Sequence, residues 1–323
     1  MKIFSVEDAI GEKISHELTG ITPGSDTKTI FPKGHIITID DVETLKNMGK
    51  YEIFILDENS SLIHENEGAH SLGIRGIGSH LAVGEPKEGK VFVTAKKDGL
   101  LIIDIERLKT INLIDGLMVS AKRNYSAVKK GDKIAVFGVT PLEIEESIID
   151  EGLVLLSQPL VSIKPFHQMK IGLITTGTEI YSGRIKDAFY PYVDSKVKPY
   201  GSHIAEQLIL PDNKEEVKDA LDSFLKNKFD IILLTGGMSV DANDITKEVI
   251  LERDDMEVIA YGSPVLPGAM FMVAYRQDTP VIGLPAGLLR GGPSVFDIVL
   301  PLLLAKEKIT KDYIASLAHG GLL

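Results

Sequence analysis

The spacing of apolar and polar positions divides the chain into three stretches of different character. In 1–81 short periodic segments alternate with turns. Ser5 followed by Asp8 in SVEDAIGEKISHEL has the form of a capping arrangement and predicts a short helix. In FPKGHIITIDDVETLKNMGKYEIFIL, Lys33-Gly34 reads as a turn. Asp40 or Asp41 can cap a helix running to Met48, Gly49 can close it, and 51–56 reads as a strand. A second helix is expected over 66–76. Between 82 and 167 the apolar runs shorten. Those at 90–95, 100–105, 117–120 and 133–139 are separated by Gly, Lys and Asp, which predicts a small β-rich unit. From 168 to 323 apolar runs alternate with longer periodic segments. Strands are expected at 170–175, 229–234, 257–260, 269–275 and 280–284. Helices are expected at 202–210, 215–226 and 244–251 and after Pro293. Strands that alternate with helices indicate an α/β fold, a doubly wound and mostly parallel sheet, here preceded by an α+β region with the small β-rich unit. The expected domains are therefore 1–81, 82–167 and 168–323.

Composition narrows the function classes. The 323 residues are 44% hydrophobic and 25% charged, as in an ordinary globular protein with enough apolar material for more than one core. The formal charge of −11 argues against nucleic acid and against adhesion to an anionic membrane. Cysteine is absent, which removes disulfides, thiolate nucleophiles, iron–sulfur clusters and cysteine zinc sites. MKIFSVEDAI lacks the apolar core of a signal peptide, and the apolar run ending at Ala305 is short and contains Pro301. A cytoplasmic location is the expectation. His64 and His70 flank two acids in HENEGAH, but no third ligand stands at a supporting spacing, so a polar helix surface is the reading rather than a metal site.

Candidate chemistry gathers in the last stretch. In an open α/β sheet, ligands bind beyond the carboxyl ends of the strands. Three loops meet that criterion: TTGTEI (175–180), TGGMSVDAND (235–244) and GLPAGLLRGGPS (283–294). Each follows an apolar run and carries glycines that let backbone N–H groups approach a phosphate. Each feature has a plainer reading too. Gly236-Gly237 can simply turn the chain, Asp244 can cap the helix that follows, and Glu179 can be a first-turn acid. Asp194-Ser195 lies in DAFYPYVDSKVKPYG, a connection without strong pattern and of a length that is often functional. The acids Asp241 and Asp244 at the rim of a phosphate seat suggest a divalent cation between carboxylate and phosphate, as Mg²⁺ is usually held.

These segments resemble the molybdopterin-binding domain of molybdenum-cofactor biosynthesis proteins. GLITTGTEI is similar to their first strand and loop, DSKVKPYG to their Asp-Ser-Asn segment, and TGGMSVDANDITK to their Gly-Gly-x-Ser-x-Gly-x-x-Asp-x-Thr-Lys signature. GSPVLPGAMFMVA resembles their Lys-Pro-Gly-Lys-Pro segment and VIGLPAGLLRGGPSVFD their Gly-Leu-Pro-Gly-Asn-Pro loop. The five matches occur in order over 168–305. The segments VEDAIGEKISHELT and FPKGHIITIDDVETLKNMGKYEIFIL resemble the opening of the molybdopterin molybdenumtransferase (MoeA-like) branch. The Asp-Gly-Tyr-Ala segment of that branch is absent, and the β unit does not match its C-terminal β domain in position.

The resemblance implies a binder of molybdopterin, free or adenylylated, that promotes Mg²⁺-assisted molybdate insertion. Asp194 and Asp244 would act with Mg²⁺. Gly236, Gly237 and Ser239 would line the phosphate end, Pro267, Gly268, Gly283 and Pro285 would shape the pocket, and Thr176, Gly177, Glu179 and Ser195 would be cofactor-binding residues as well. It also implies a homo-oligomer, with a molybdoenzyme as a possible client. Two other functions fit: a non-catalytic carrier of the finished cofactor, and a nucleotide pyrophosphatase related to competence-damage-inducible proteins. The chain departs from the family at Asp241, which replaces a glycine, and at 263–269, where both lysines are lost. Lys198 and Arg290 could restore part of that charge. The generic NAD-binding reading fails because no Gly-x-Gly-x-x-Gly follows the first strand.

Overall fold

The computed structural model describes residues 2–20, 28–56, 61–239 and 244–323. The chain forms two compact units, the first built from residues up to Ile163 and the second chiefly from 164–323.

The first unit holds two separate apolar clusters. One gathers Val6, Ile14, Phe31, Ile37, Leu45, Ile53 and Ile55. It lies among an antiparallel pair, Lys2–Ser5 with Glu52–Ile55, and the helix Asp41–Asn47. The predicted opening helix is replaced by turns. Ser5 Oγ does accept from Asp8 N at 3.1 Å and donates to the Asp8 carboxylate at 2.7 Å. The capping bonds form, but Val6 and Ala9 are already buried, so the segment stays pinned as turns. The second cluster is the expected β-rich part. A four-stranded antiparallel sheet runs in the order Leu81–Val83, Lys90–Ala95, Lys133–Val139, Leu117–Ala121. The helix Glu65–Gly76 packs on it through Ala69 and Leu72. Its glycines allow close approach: a Cβ on Gly76 would lie 2.4 Å from the Phe137 ring. His64 caps this helix by accepting from Asn66 N at 3.1 Å. Among the described residues no group of three or more His, Asp or Glu converges as a metal set.

The second unit is a six-stranded mixed sheet. Its elements are β1 (Lys170–Thr176), α1 (Thr178–Tyr181), α2 (Phe189–Val197), β2 (His203–Leu210), α3 (Lys214–Lys226), β3 (Ile231–Thr235), α4 (Thr246–Leu251), β4 (Glu257–Tyr261), β5 (Met272–Arg276), β6 (Thr279–Leu284), α5 (Val295–Leu304) and α6 (Lys311–Ser316). The strand order is β2-β1-β3-β6-β5-β4. The first four strands are parallel, and β5 and β4 add antiparallel. Strand β3 is buried throughout and β1 all but its first residue, which explains their continuous apolar runs. Helix α3 starts at Asn213, which accepts from Glu215 N and Glu216 N. It buries Val217, Ala220, Leu221 and Phe224, the stripe of an amphipathic helix. Phe224 reaches the sheet because Gly172 has no side chain; a Cβ there would stand 2.5 Å from its ring.

Two expectations in this unit are corrected. Residues 203–210 form the edge strand β2 rather than a helix. Ile204 and Leu208 have helix-like spacing, yet the segment pairs with β1 from Lys170↔His203 to Thr176↔Leu210. An edge strand carries no continuous apolar run, so the pattern misleads. Conversely, the patternless connection around Asp194 is helix α2, with Phe189, Val193 and Val197 buried at four-residue spacing. Pro191 falls in its first turn, where no intrahelical N–H bond is lost.

Candidate functional site

The chain leaves β1 at a buried threonine pair, Thr175 and Thr176, and leaves β3 at buried Thr235. Thr176 Oγ1 lies 3.3 Å from the Thr235 carbonyl and 3.0 Å from Thr246 Oγ1 at the start of α4. This buried set of hydroxyls ties the ends of two parallel strands to the helix that follows the second. Gly236, with φ +81°, passes directly over it. A Cβ there would lie 2.2 Å from the Thr176 carbonyl oxygen and 2.6 Å from its hydroxyl. Gly237, with φ +56°, would place a Cβ 2.7 Å from Thr246 Oγ1. The loop is then closed at its rim. Lys247 Nζ donates to the Ser239 carbonyl, and Tyr261 Oη donates to the Met238 carbonyl at 3.0 Å.

The third loop joins the same end of the sheet. Met238 is buried and fills the space that Gly283 leaves open in β6; a Cβ on Gly283 would be 2.2 Å from its Cε. Pro285 opens a 3-10 turn, Ala286–Arg290. The chain then enters α5 through a reciprocal capping box, Ser294 with Asp297. Gly268, φ +136°, lies against Val295, and Val295 N donates to the Pro267 carbonyl at 3.3 Å.

Helix α2 is bound to that capping box. Lys196 Nζ lies 2.6 Å from the Asp297 carboxylate, and Tyr192 Oη lies 3.0 Å from Ser294 Oγ. Burial raises the Tyr192 phenol above its ordinary value, against the lowering effect of the Ser294 bond. Ser195 Oγ donates to the Tyr192 carbonyl at 2.7 Å. The half-buried Asp194 carboxylate on α2 has no hydrogen bond or ion pair among the described residues.

These contacts sort the expected residues. Thr176, Gly236, Gly237, Gly268 and Gly283 are closely packed, each with another part of the chain against it. Gly177 is buried, and its N–H goes to the Leu210 carbonyl at 3.1 Å. Pro285 is buried, whereas Pro267 is half-buried. The Ser195 hydroxyl is spent on its own helix. Glu179 and Ser239 are exposed. Asp244 stands two residues before α4, which begins at Thr246. The residue directly before that helix is Ile245, whose apolar side chain offers no cap. Asp241 lies outside the described residues. Of the two cations expected to replace the lost lysines, Lys198 and Arg290 are both exposed.

Sequence reading gave no role to Tyr192, Lys196 or Asp297, and placed Thr246 and Lys247 only as the Thr-Lys that ends the TGGMSVDANDITK signature. Beyond that signature, Asp297 had a local signal, the Ser-x-x-Asp spacing of a capping box ahead of an apolar run. The others act across 8 to 102 positions of chain, as in the Lys247–Ser239 and Tyr192–Ser294 contacts.

Comparison with known proteins gives matches in both units. Residues 172–304 match the family described as "Probable molybdopterin binding domain". Residues 3–57 match a family described as a domain of unknown function. A molybdopterin molybdenumtransferase of Haemophilus influenzae is 26% identical over 185 residues, 54% of this chain and 43% of that protein. A CinA-like protein of Flavobacterium psychrophilum is 33% identical over 84 residues, 26% of this chain and 20% of that protein. The matches thus span less than half the length of these curated relatives. Among solved structures, the molybdopterin biosynthesis enzyme MoaB from Thermus thermophilus is 20% identical, with a TM-score of 0.38, over 44% of this chain and 99% of that one. Among the described residues no helix is long and apolar enough to cross a membrane.

Proposed function

We propose that this protein, whose residues 172–304 match the family described as "Probable molybdopterin binding domain", binds molybdopterin, free or adenylylated, at the carboxyl ends of β1, β3 and β6 and promotes insertion of molybdate. The observation that best supports this reading is the meeting of the three loops through the Thr176–Thr246 contact and Met238 against Gly283, beside an Asp194 carboxylate without a partner among the described residues. Backbone N–H groups of the glycine loops would hold the pterin phosphate. Ser239 and Arg290, both exposed, would reach it from two loops.

Asp194 and Asp244 supply hard carboxylate oxygens, and that donor type suits Mg²⁺ held jointly with a ligand phosphate. When bound, the ion would neutralise phosphate charge and polarise the phosphoryl group. The protein's own part is to hold the phosphate on the loops and to keep Asp194 at a fixed place on α2. Domain boundaries near 81 and 167, and assembly into a homo-oligomer, belong to the same proposal. Limited proteolysis and sedimentation test them.

The direct test is incubation with adenylylated molybdopterin, Mg²⁺ and molybdate, followed by chromatography. Mg²⁺-dependent release of AMP supports the reading. Tight binding without release favours a cofactor carrier, a role consistent with the loss of both family lysines at 263–269. The match to CinA-like proteins favours one further reading, a nucleotide pyrophosphatase. Mg²⁺-dependent cleavage of ADP-ribose or FAD, with no action on the pterin, would establish it instead.

A further inference from the structure

A cavity of about 710 Å³ opens at the opposite end of the same sheet, where β1, β3 and β6 begin. That volume is within the usual range for a small-molecule site. Its apolar lining comes from Met169, Leu225, Phe229 and Leu303. Two acids line it as well: Asp230 accepts from Lys170 N at 2.8 Å, and the Asp278 carboxylate has no hydrogen bond or ion pair among the described residues. Several other charges on its wall are already paired. Arg276 goes to Asp255, Lys308 to Glu257, and Glu307 to Lys164. Three lysines also line it, from the end of α3, the turn into β3 and the end of α5. The side chains of Lys226, Lys228 and Lys306 have no hydrogen bond or ion pair among the described residues.

The backbone points the same way. Six described non-glycine residues have positive φ, and three of them, Lys228 (+52°), Gln277 (+56°) and Lys306 (+53°), line this cavity. Lys228 and Lys306 stand just past the ends of α3 and α5, a position that glycine or asparagine fills at lower conformational cost. Lysine occupies both places, in a chain of net charge −11, despite that cost.

We propose that this cavity is a binding site for a small organic anion, a phosphate, sulfonate or carboxylate carried on an apolar body. The body rests on Leu225, Phe229 and Leu303, and the anionic group meets Lys226, Lys228 and Lys306. The site is independent of the reading given for the other end of the sheet.

Anilinonaphthalene sulfonate is a suitable probe, since it joins an aromatic body to one anionic group. Saturable binding at one site per chain is expected, with shifts at the Met169 methyl and none at Met238. In the double variant Lys228→Gly, Lys306→Gly the affinity falls at least about tenfold, as loss of a charge-assisted contact does. The thermal midpoint stays level or rises, because glycine accepts the left-handed backbone. If the double glycine variant is instead destabilised, Lys228→Gln with Lys306→Gln removes the charge and keeps the chain length, and the same tenfold loss is expected. Unchanged affinity in the neutralised variants, or shifts at Met238 in place of Met169, would overturn the proposal.

Discussion

Replacing Gly236 with alanine tests whether the crossing of two loops holds the site together. The backbone there has φ +81°, a conformation that costs an L-residue about 1–2 kcal/mol. The new Cβ would also stand 2.2 Å from the Thr176 carbonyl oxygen, well inside contact distance and against backbone that cannot swing away. Relief requires the β1 and β3 ends to part, an overpacking cost of about 1–3 kcal/mol. The sum is about 2–5 kcal/mol. Gly183→Ala supplies the control: its φ is +73°, and nothing lies within 4 Å of the added carbon. That variant should lose only the backbone term. Urea denaturation followed by far-UV circular dichroism measures both. A Gly236→Ala variant no less stable than Gly183→Ala would refute the claim that close approach, rather than turn geometry, requires glycine at 236.

Four further predictions follow from the same contacts. Thr246→Val keeps shape but removes the hydroxyl facing Thr176; it should cost about 1–2 kcal/mol by the same denaturation assay. Asp297→Ala removes both the α5 capping box and the Lys196 partner and should cost about 1–2 kcal/mol, whereas Lys196→Met should cost under about 1 kcal/mol, so equal losses would contradict the capping role. Asp244→Asn should abolish most Mg²⁺-dependent AMP release while its circular dichroism spectrum stays that of the parent; full turnover would defeat the proposed role. Hydrogen bonds from Arg253 and Arg276 hold the Asp255 carboxyl well below the usual carboxylate range. Its contribution is therefore present above the ordinary carboxylate value near 4 and is lost as the pH falls toward the depressed folded value. Asp255 is 43% exposed, so screening keeps the effect under about 1 kcal/mol. Asp255→Asn should lower the urea midpoint at neutral pH, and the gap to the parent should close in acid.

Local pattern determined much of this protein. The buried runs of β1 and β3, the amphipathic stripe of α3 and the capping signals read directly, because each depends on residues a few positions apart. So did the glycine-rich loops after strands and the family they resemble. What local pattern could not decide was whatever depends on a distant neighbour. Residues 203–210 became an edge strand because β1 offered a pairing partner, although their own spacing suited a helix. Ser5 and Asp8 made their capping bonds and still formed no helix, because Val6 and Ala9 were needed in a core with Leu45 and Ile53. At the candidate site, local pattern showed the glycines but not that Gly236 passes over Thr176, where a Cβ would lie 2.2 Å from the Thr176 carbonyl oxygen. Thr246, which meets Thr176, and Lys196 and Asp297, which pair α2 with α5, act through partners far along the chain, and only folding brings those partners within reach.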